Sequence, residues 1–227
     1  MNLEDKIVLA HRGYFNKESR KEYKENSRDV CRVSGTKEHI DIIEIDVRKS
    51  KDGVLWCYHG KFFQYHFSLR KPLYFSEIKE KYNANTLEEV FEVIPEDKIL
   101  YLDIKDATVT INDILKILKG KKFKEIIIGK ISVSTAFLDK FTDLPEGFVK
   151  IMNGNIFAPF YNLEKLKAKK YKYFEVVFPF QVRKELVKKV FDCGLEFKCC
   201  DLFFLSKENY WDVINKYGIK HISSNFI

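Results

Sequence analysis

The chain has 227 residues, of which 45% are hydrophobic, 15% aromatic and 32% charged, a composition that excludes a disordered polymer and supplies enough apolar surface for one sizeable core. No run approaches the roughly 18 to 20 consecutive apolar residues of a membrane helix, and the opening MNLEDK lacks the basic head and apolar centre of a secretory leader. Forty Lys and Arg against 33 Asp and Glu give a formal charge of +7; this suits anionic partners, but the excess is spread over solvated stretches such as LKGKKFK and LEKLKAKKYK, so no nucleic acid is expected.

The first predicted strand, KIVLAHRG, ends by setting His11 and Arg12 side by side before Gly13. In the second, DIIEIDVRKS, residues two apart share a face. Glu44 and Asp46 therefore project together, while Ile43, Ile45 and Val47 cover the other side. Like charges pointed at an interior need a compensating cation or hydrogen bonds. A turn at Lys51-Asp52-Gly53 leads into GVLWCYHG, another apolar strand, which closes on His59. KILYLDIK repeats the pattern of the second strand, with Asp103 and Lys105 on one face and Leu100, Leu102 and Ile104 on the other.

Further strands are predicted at EIIIGKIS, VKIMNG, YFEVVFPF, LEFKCC and IKHISSNF, separated by the helical patterns INDILKILKG, NLEKLKAKK, VRKELVKKVFDCG and KENYWDVINKYG. Gly120, Gly194 and Gly218 stand where helix C-caps belong. Eight of these strands, all but GVLWCYHG, alternate with helices and predict an α/β fold, a compact TIM (β/α)8 barrel in one domain spanning 1–227, with the last helix reduced or absent. No GxGxxG or GxxxxGK[ST] loop follows any strand, which argues against Rossmann and P-loop nucleotide binding. The five cysteines, Cys31, Cys57, Cys193, Cys199 and Cys200, are odd in number and show no CxxC spacing; they read as reduced thiols, in keeping with a cytoplasmic location.

Three carboxylates from two strand ends form an all-oxygen donor set, which fits Mg2+ or Ca2+, with Mn2+ also admissible, far better than zinc. Lys105 could hold a phosphate as a point charge or pair with Asp103. His11 and His59, at one end of the barrel, would supply an acid and a base that titrate near neutrality. TIM-barrel active sites lie at the C-terminal ends of the strands. His39, His66 and His221 lack such company and read as surface or packing residues.

In order and spacing these segments resemble the glycerophosphodiester phosphodiesterases, TIM-barrel enzymes of the wider phosphatidylinositol phospholipase C-like group. AHRG is followed by KENS, similar to the family's PENT, and IIEIDVRKSKDGVLWCYHG resembles IExDVxxTxDGxxVxxHD. NTLEEVFEVI is similar to the TLEEVL helix and YLDIK to LEIK; GLEFKCCDLF and GIKHISSNF parallel the WTVN and GVDGIITD segments. The resemblance implies His11 and His59 as the acid/base pair, Arg12 and Lys105 as phosphate contacts, Gly13 as the close-approach residue, and Glu44, Asp46 and Asp103 as ligands of a divalent metal. Glu25 and Asn26 stand at the family's Glu-Asn pair.

The implied reaction is hydrolysis of a small anionic phosphodiester, with a cyclising lyase or phospholipase, or a non-catalytic phospho-ligand binder, as alternatives. The chain departs from the pattern at Gly60, at the shorter Asp103, and at Cys199-Cys200-Asp201. The insertion after the second histidine is reduced to a short aromatic stretch containing Phe62, Phe63, Tyr65, Phe67, Tyr74 and Phe75, which reads as packing under a loop or as a rim that receives the leaving group, with Asp201 and Asn153 as further candidates for specificity.

Overall fold

The computed structural model describes residues 3–60, 72–129, 138–154, 163–176, 179–199 and 205–227, with the backbone alone at Asn153 and Gly154. Nine strands form its sheet: β1 (Ile7–Ala10), β2 (Ile42–Lys49), β3 (Leu55–Cys57), β4 (Ile99–Ile104), β5 (Glu125–Gly129), β6 (Phe148–Gly154), β7 (Tyr171–Val176), β8 (Glu196–Cys199) and β9 (His221–Ser223). Eight of them pair in parallel and close on themselves. Their order is β1-β9-β8-β7-β6-β5-β4-β2, and β2 returns to β1 through Leu9 opposite Ile42. This is the expected TIM barrel, and its eight strands are those read from the sequence.

The ninth, β3, is an appendage. It pairs antiparallel with β2, Val47 opposite Cys57 and Lys49 opposite Leu55, and carries the chain back down the outside of the barrel mouth. The ladder forms because Ser50 closes the turn: its N–H donates to Val54 O, and its hydroxyl accepts from Val54 N, both at 2.9 Å.

Alternation divides each strand between two cores. Inward-facing Leu9, Ile42, Ile99, Tyr101, Ile127, Ile151 and Tyr173 fill the barrel, whereas Ile43, Ile45, Val47, Leu100, Leu102 and Ile104 pack in the layer shared with the helices. That outer layer holds α1 (Ser19–Glu22), α2 (Arg28–Gly35), α3 (Phe75–Tyr82), α4 (Leu87–Phe91), α5 (Ile111–Leu118), α6 (Leu163–Ala168), α7 (Lys184–Asp192) and α8 (Lys207–Tyr217). Ser27, Thr86, Thr110 and Ser206 cap helix N-termini by accepting from the backbone N–H three residues on.

Two of the expected glycine caps sit as read: Gly194 just past α7 and Gly218 at the end of α8, both left-handed. At α5 the left-handed cap is Lys119, one residue before Gly120. After β9 a single 3-10 turn, Ser224–Phe226, follows. Among the described residues no helix is long and apolar enough to cross a membrane. Cys31, Cys57, Cys193 and Cys199 are free thiols, and Cys200 lies outside the described residues.

Candidate active site

β2 and β4 run side by side with Asp46 opposite Asp103 and Glu44 opposite Tyr101. The spacing of two therefore puts Glu44, Asp46 and Asp103 on one inward-facing wall, all three buried, each offering an oxygen within 4.8 Å of the others. Burial of such a cluster has electrostatic consequences. Desolvation and the neighbouring Asp46 push the Glu44 carboxyl up to about 8, against the pull of His11. Asp46 is also penalised by burial, but Lys105, Arg12 and His59 together hold it well below the usual carboxylate range.

Lys105 supplies much of that compensation. Its ammonium lies 2.9 Å from Asp46 Oδ1 and donates a hydrogen bond to Asp103 Oδ2. Burial disfavours its charge, yet Asp103, Asp46 and Glu44 raise its pKa above the ordinary lysine value. Of the two roles read from the sequence, the pairing with Asp103 is seen, and it places the cation in the cluster.

AHRG forms a single 3-10 turn, His11–Gly13, directly after β1. Arg12 is left-handed (φ 56°), a conformation that costs a non-glycine residue on the order of 1 kcal/mol and aims its N–H at Glu44 Oε2, 2.6 Å away. Asn26, also left-handed at φ 58°, donates its own N–H to Arg12 O and so ties the two turns together. Its amide clasps Asp46 from both sides: Nδ2 donates to Oδ2 at 2.8 Å and Oδ1 accepts from the Asp46 N–H at 2.9 Å.

The Arg12 guanidinium bonds Glu25 through Nη1 (2.9 Å), and its Nε lies 3.7 Å from Asp46, buried with no hydrogen-bond partner among the described residues. Burial opposes its charge, and Asp46, Glu25 and Glu44 outweigh that cost. His11 Nε2 stands 3.9 Å from Glu44 Oε2. Gly13, at φ 80°, is a close-approach residue toward the protein itself: a Cβ there would come within 2.7 Å of Val30 on α2.

His59 follows β3, the apolar strand read from GVLWCYHG. It does not end a barrel strand; the β2–β3 hairpin folds it back to the level of Asp46, whose carbonyl accepts from the Tyr58 N–H at 3.1 Å. Arg48, two positions beyond Asp46 on the same face, fixes this return by donating to Tyr58 O (2.9 Å) and His59 O (2.8 Å). Sequence reasoning missed Arg48, although the period of two from Glu44 and Asp46 pointed to it. His59 Nδ1 bonds Gly60 O at 2.7 Å. Burial lowers its pKa, partly countered by Asp46.

Behind it the rings of Trp56, Tyr58 and Tyr82 pack at centroid separations of 4.9 to 6.0 Å. Of the aromatic stretch, Tyr74 is 47% exposed under the Lys51 ammonium, and Phe75 begins α3. Phe62, Phe63, Tyr65, Phe67 and Asp201 lie outside the described residues, as does the Asn153 side chain. His39 is exposed and His221 is a buried packing residue.

The donor set suits a hard divalent cation. All ligand atoms are carboxylate oxygens, and Asp103 Oδ1 is buried without a hydrogen-bond partner among the described residues.

Comparison with curated proteins returns no match. Among solved structures the chain is similar to a glycerophosphodiester phosphodiesterase from Thermotoga maritima (23% identity, 97% of this chain and 95% of that one, TM-score 0.70). It is also similar to an Oleispira antarctica phosphodiesterase in complex with the product sn-glycerol-3-phosphate (19%, 96% and 92%, TM-score 0.72), and to a glycerophosphodiester phosphodiesterase from Agrobacterium tumefaciens (17%, 97% of each, TM-score 0.65). At these identities the likeness is one of fold. The family assignment rests on the sequence: the model of the glycerophosphoryl diester phosphodiesterase family matches residues 11–194, from the first site histidine to the end of the α7 turn. The chain belongs to that family and is a phosphoric diester hydrolase.

Proposed function

We propose that this barrel, one domain over 1–227, hydrolyses a glycerophosphodiester with the help of a divalent cation held by Glu44, Asp46 and Asp103. The observation that carries the reading is the convergence on one wall of three buried carboxylates, one with an unspent oxygen, flanked by two cations and two imidazoles. Mg2+, Ca2+ and Mn2+ all accept such oxygen ligands, and the ion would supply Lewis-acid neutralisation of the phosphodiester charge.

Arg12 contributes a fixed positive charge and a buried Nε–H, without a hydrogen-bond partner among the described residues, toward a phosphate oxygen, and the Lys105 ammonium adds a second cation. With Nδ1 donating to Gly60 O, His59 presents the lone pair of Nε2, and burial favours its neutral form. It acts as the base, taking the proton of the attacking water or of a neighbouring glycerol hydroxyl. His11, beside Glu44, gives a proton to the departing alkoxide as the P–O bond breaks. With water as nucleophile the products are a phosphomonoester, the class to which the glycerol phosphate bound by the Oleispira relative belongs, and a free alcohol.

The site would work away from a membrane span, in keeping with a cytoplasmic enzyme acting on small anionic substrates. A panel of glycerophosphodiesters assayed with Mg2+, Mn2+ and Ca2+ tests the reading. Turnover should vanish after chelation and dialysis and return with one of these ions; full turnover in excess EDTA would refute the ion's role.

A further inference from the structure

The barrel interior holds a second group of charges that this reaction does not use. At the C-terminal ends of β7 and β8, Glu175 and Lys198 stand opposite each other in register. Lys198 is 0% exposed, and its Nζ makes no hydrogen bond among the described residues. That ammonium lies 3.3 Å from Glu175 Oε1 and 4.0 Å from the centroid of the Tyr101 ring. Tyr101 reaches over from β4, three strands away around the barrel from β7, and its hydroxyl donates to Glu175 Oε2 at 3.2 Å. One ion pair, one cation–π contact and one hydrogen bond thus lock three residues from three strands.

Tyr101 is the link to the carboxylate wall. It precedes Asp103 by two residues on the same face and is in register with Glu44. The chain makes room for its ring at Gly129 on β5, where a Cβ would come within 2.5 Å of it. A buried ion pair is a poor source of stability, since apolar residues of similar volume replace such pairs at little or no cost. An apolar trio would fill this space equally well, but it would leave the Tyr101 ring free to rise or sink.

We propose that Lys198 and Glu175 are positioning residues: by clamping Tyr101 they fix the floor beneath Glu44 and Asp103, and with it the affinity of the carboxylate site for its divalent ion. The proposal rests on the ion-dependent reading above and adds two residues to it, on the wall facing the carboxylates.

The test is Mn2+ binding without substrate, followed by the EPR signal of free Mn2+, alongside thermal unfolding. The double variant Lys198→Met/Glu175→Leu removes both charges together, so no buried ion is stranded; it should melt no lower than the parent yet bind Mn2+ about tenfold more weakly. Tyr101→Phe, which deletes one hydroxyl from the core, should melt near the parent and bind about threefold more weakly.

A folded double variant that binds Mn2+ as the parent does would overturn the proposal; should it fail to fold, unchanged binding by Tyr101→Phe would do so alone. A parent that binds no Mn2+ would overturn the ion-dependent reading and this proposal together, whereas equal binding by parent and variants would overturn this proposal only.

Discussion

The two ends of the barrel interior are built from the same eight strands, and both carry charge, but they dispose of it differently. At the N-terminal end Glu125 takes Tyr173 Oη (2.5 Å) and Lys172 (2.8 Å), and Glu196 takes His221 Nε2 (2.5 Å) and stands 3.6 Å from Lys172. Lys172 and Glu196 keep about two-fifths of their side-chain surface in water. There each charge has a partner or solvent, and His221 Nδ1 is the one orphan of this group. At the C-terminal end the carboxylates are sealed from solvent, and Asp103 Oδ1, Arg12 Nε and Lys198 Nζ all lack hydrogen bonds among the described residues. Abundance of charge does not separate the two ends; incomplete satisfaction of buried charge does.

The sharpest way to break this contrast is to delete a histidine from each end. Because a positioned acid or base contributes about 10²- to 10⁴-fold, His11→Ala and His59→Ala should lower kcat on that scale with the fold retained by circular dichroism. His221→Ala should instead lower the melting temperature and leave kcat near the parent value. Near-parent turnover in either of the first two variants would erase the distinction.

A smaller effect is expected in ion binding. Asp103→Ala should weaken Mg2+ or Mn2+ affinity by at least about tenfold in a calorimetric titration, and Asp103→Glu should keep most of it. Glu196→Gln, at the other end, should titrate as the parent does.

The smallest effect separates location from pairing. Asp113 lies near the mouth but is fully partnered, by both contacts of Lys49 Nζ (2.9 Å each) and by the Thr110 N–H (2.8 Å). Burial opposes its charge, yet these bonds lower its pKa below 3.8. A carboxylate with a lowered folded-state pKa stabilises above its unfolded value and loses that contribution as pH falls through the folded one. Asp113→Asn should therefore cost about 1 kcal/mol by urea unfolding near pH 6, with the gap to the parent closing as pH drops below 3.8, and activity unaffected. A gap independent of pH would mean that the carboxylate charge contributes nothing.

What the sequence disclosed of this site is what strand geometry makes local. A spacing of two set Glu44 with Asp46 and Asp103 with Lys105, and the strand end after Ala10 set His11 with Arg12. The eight barrel strands were legible for the same reason. The path of His59 was not, because an antiparallel return and a further barrel strand present the same short apolar run. The clasp of Tyr101, Glu175 and Lys198 was invisible because its members lie up to 97 positions apart, Tyr101 and Glu175 themselves 74 apart, and nothing in LEFKCC distinguishes a buried lysine from a solvated one. Arg48 was within reach, on the face already read.

The hairpin of β2 and β3 bears on the order in which the site comes together. Glu44, Asp46 and His59 belong to one stretch of 16 residues whose ladder joins neighbours in the chain, such as Val47 with Cys57, and β1 sets His11 beside them through Leu9 opposite Ile42, whereas the seam that closes the barrel pairs Ile7 with His221. Closing the longer loop costs more chain entropy and slows its formation. This part of the site should thus form early, before the seam. In pulse-labelled hydrogen exchange during refolding, the Tyr58 amide, bonded to Asp46 O, should be protected before the Ile7 amide, bonded to Lys220 O; the reverse order would place barrel closure first.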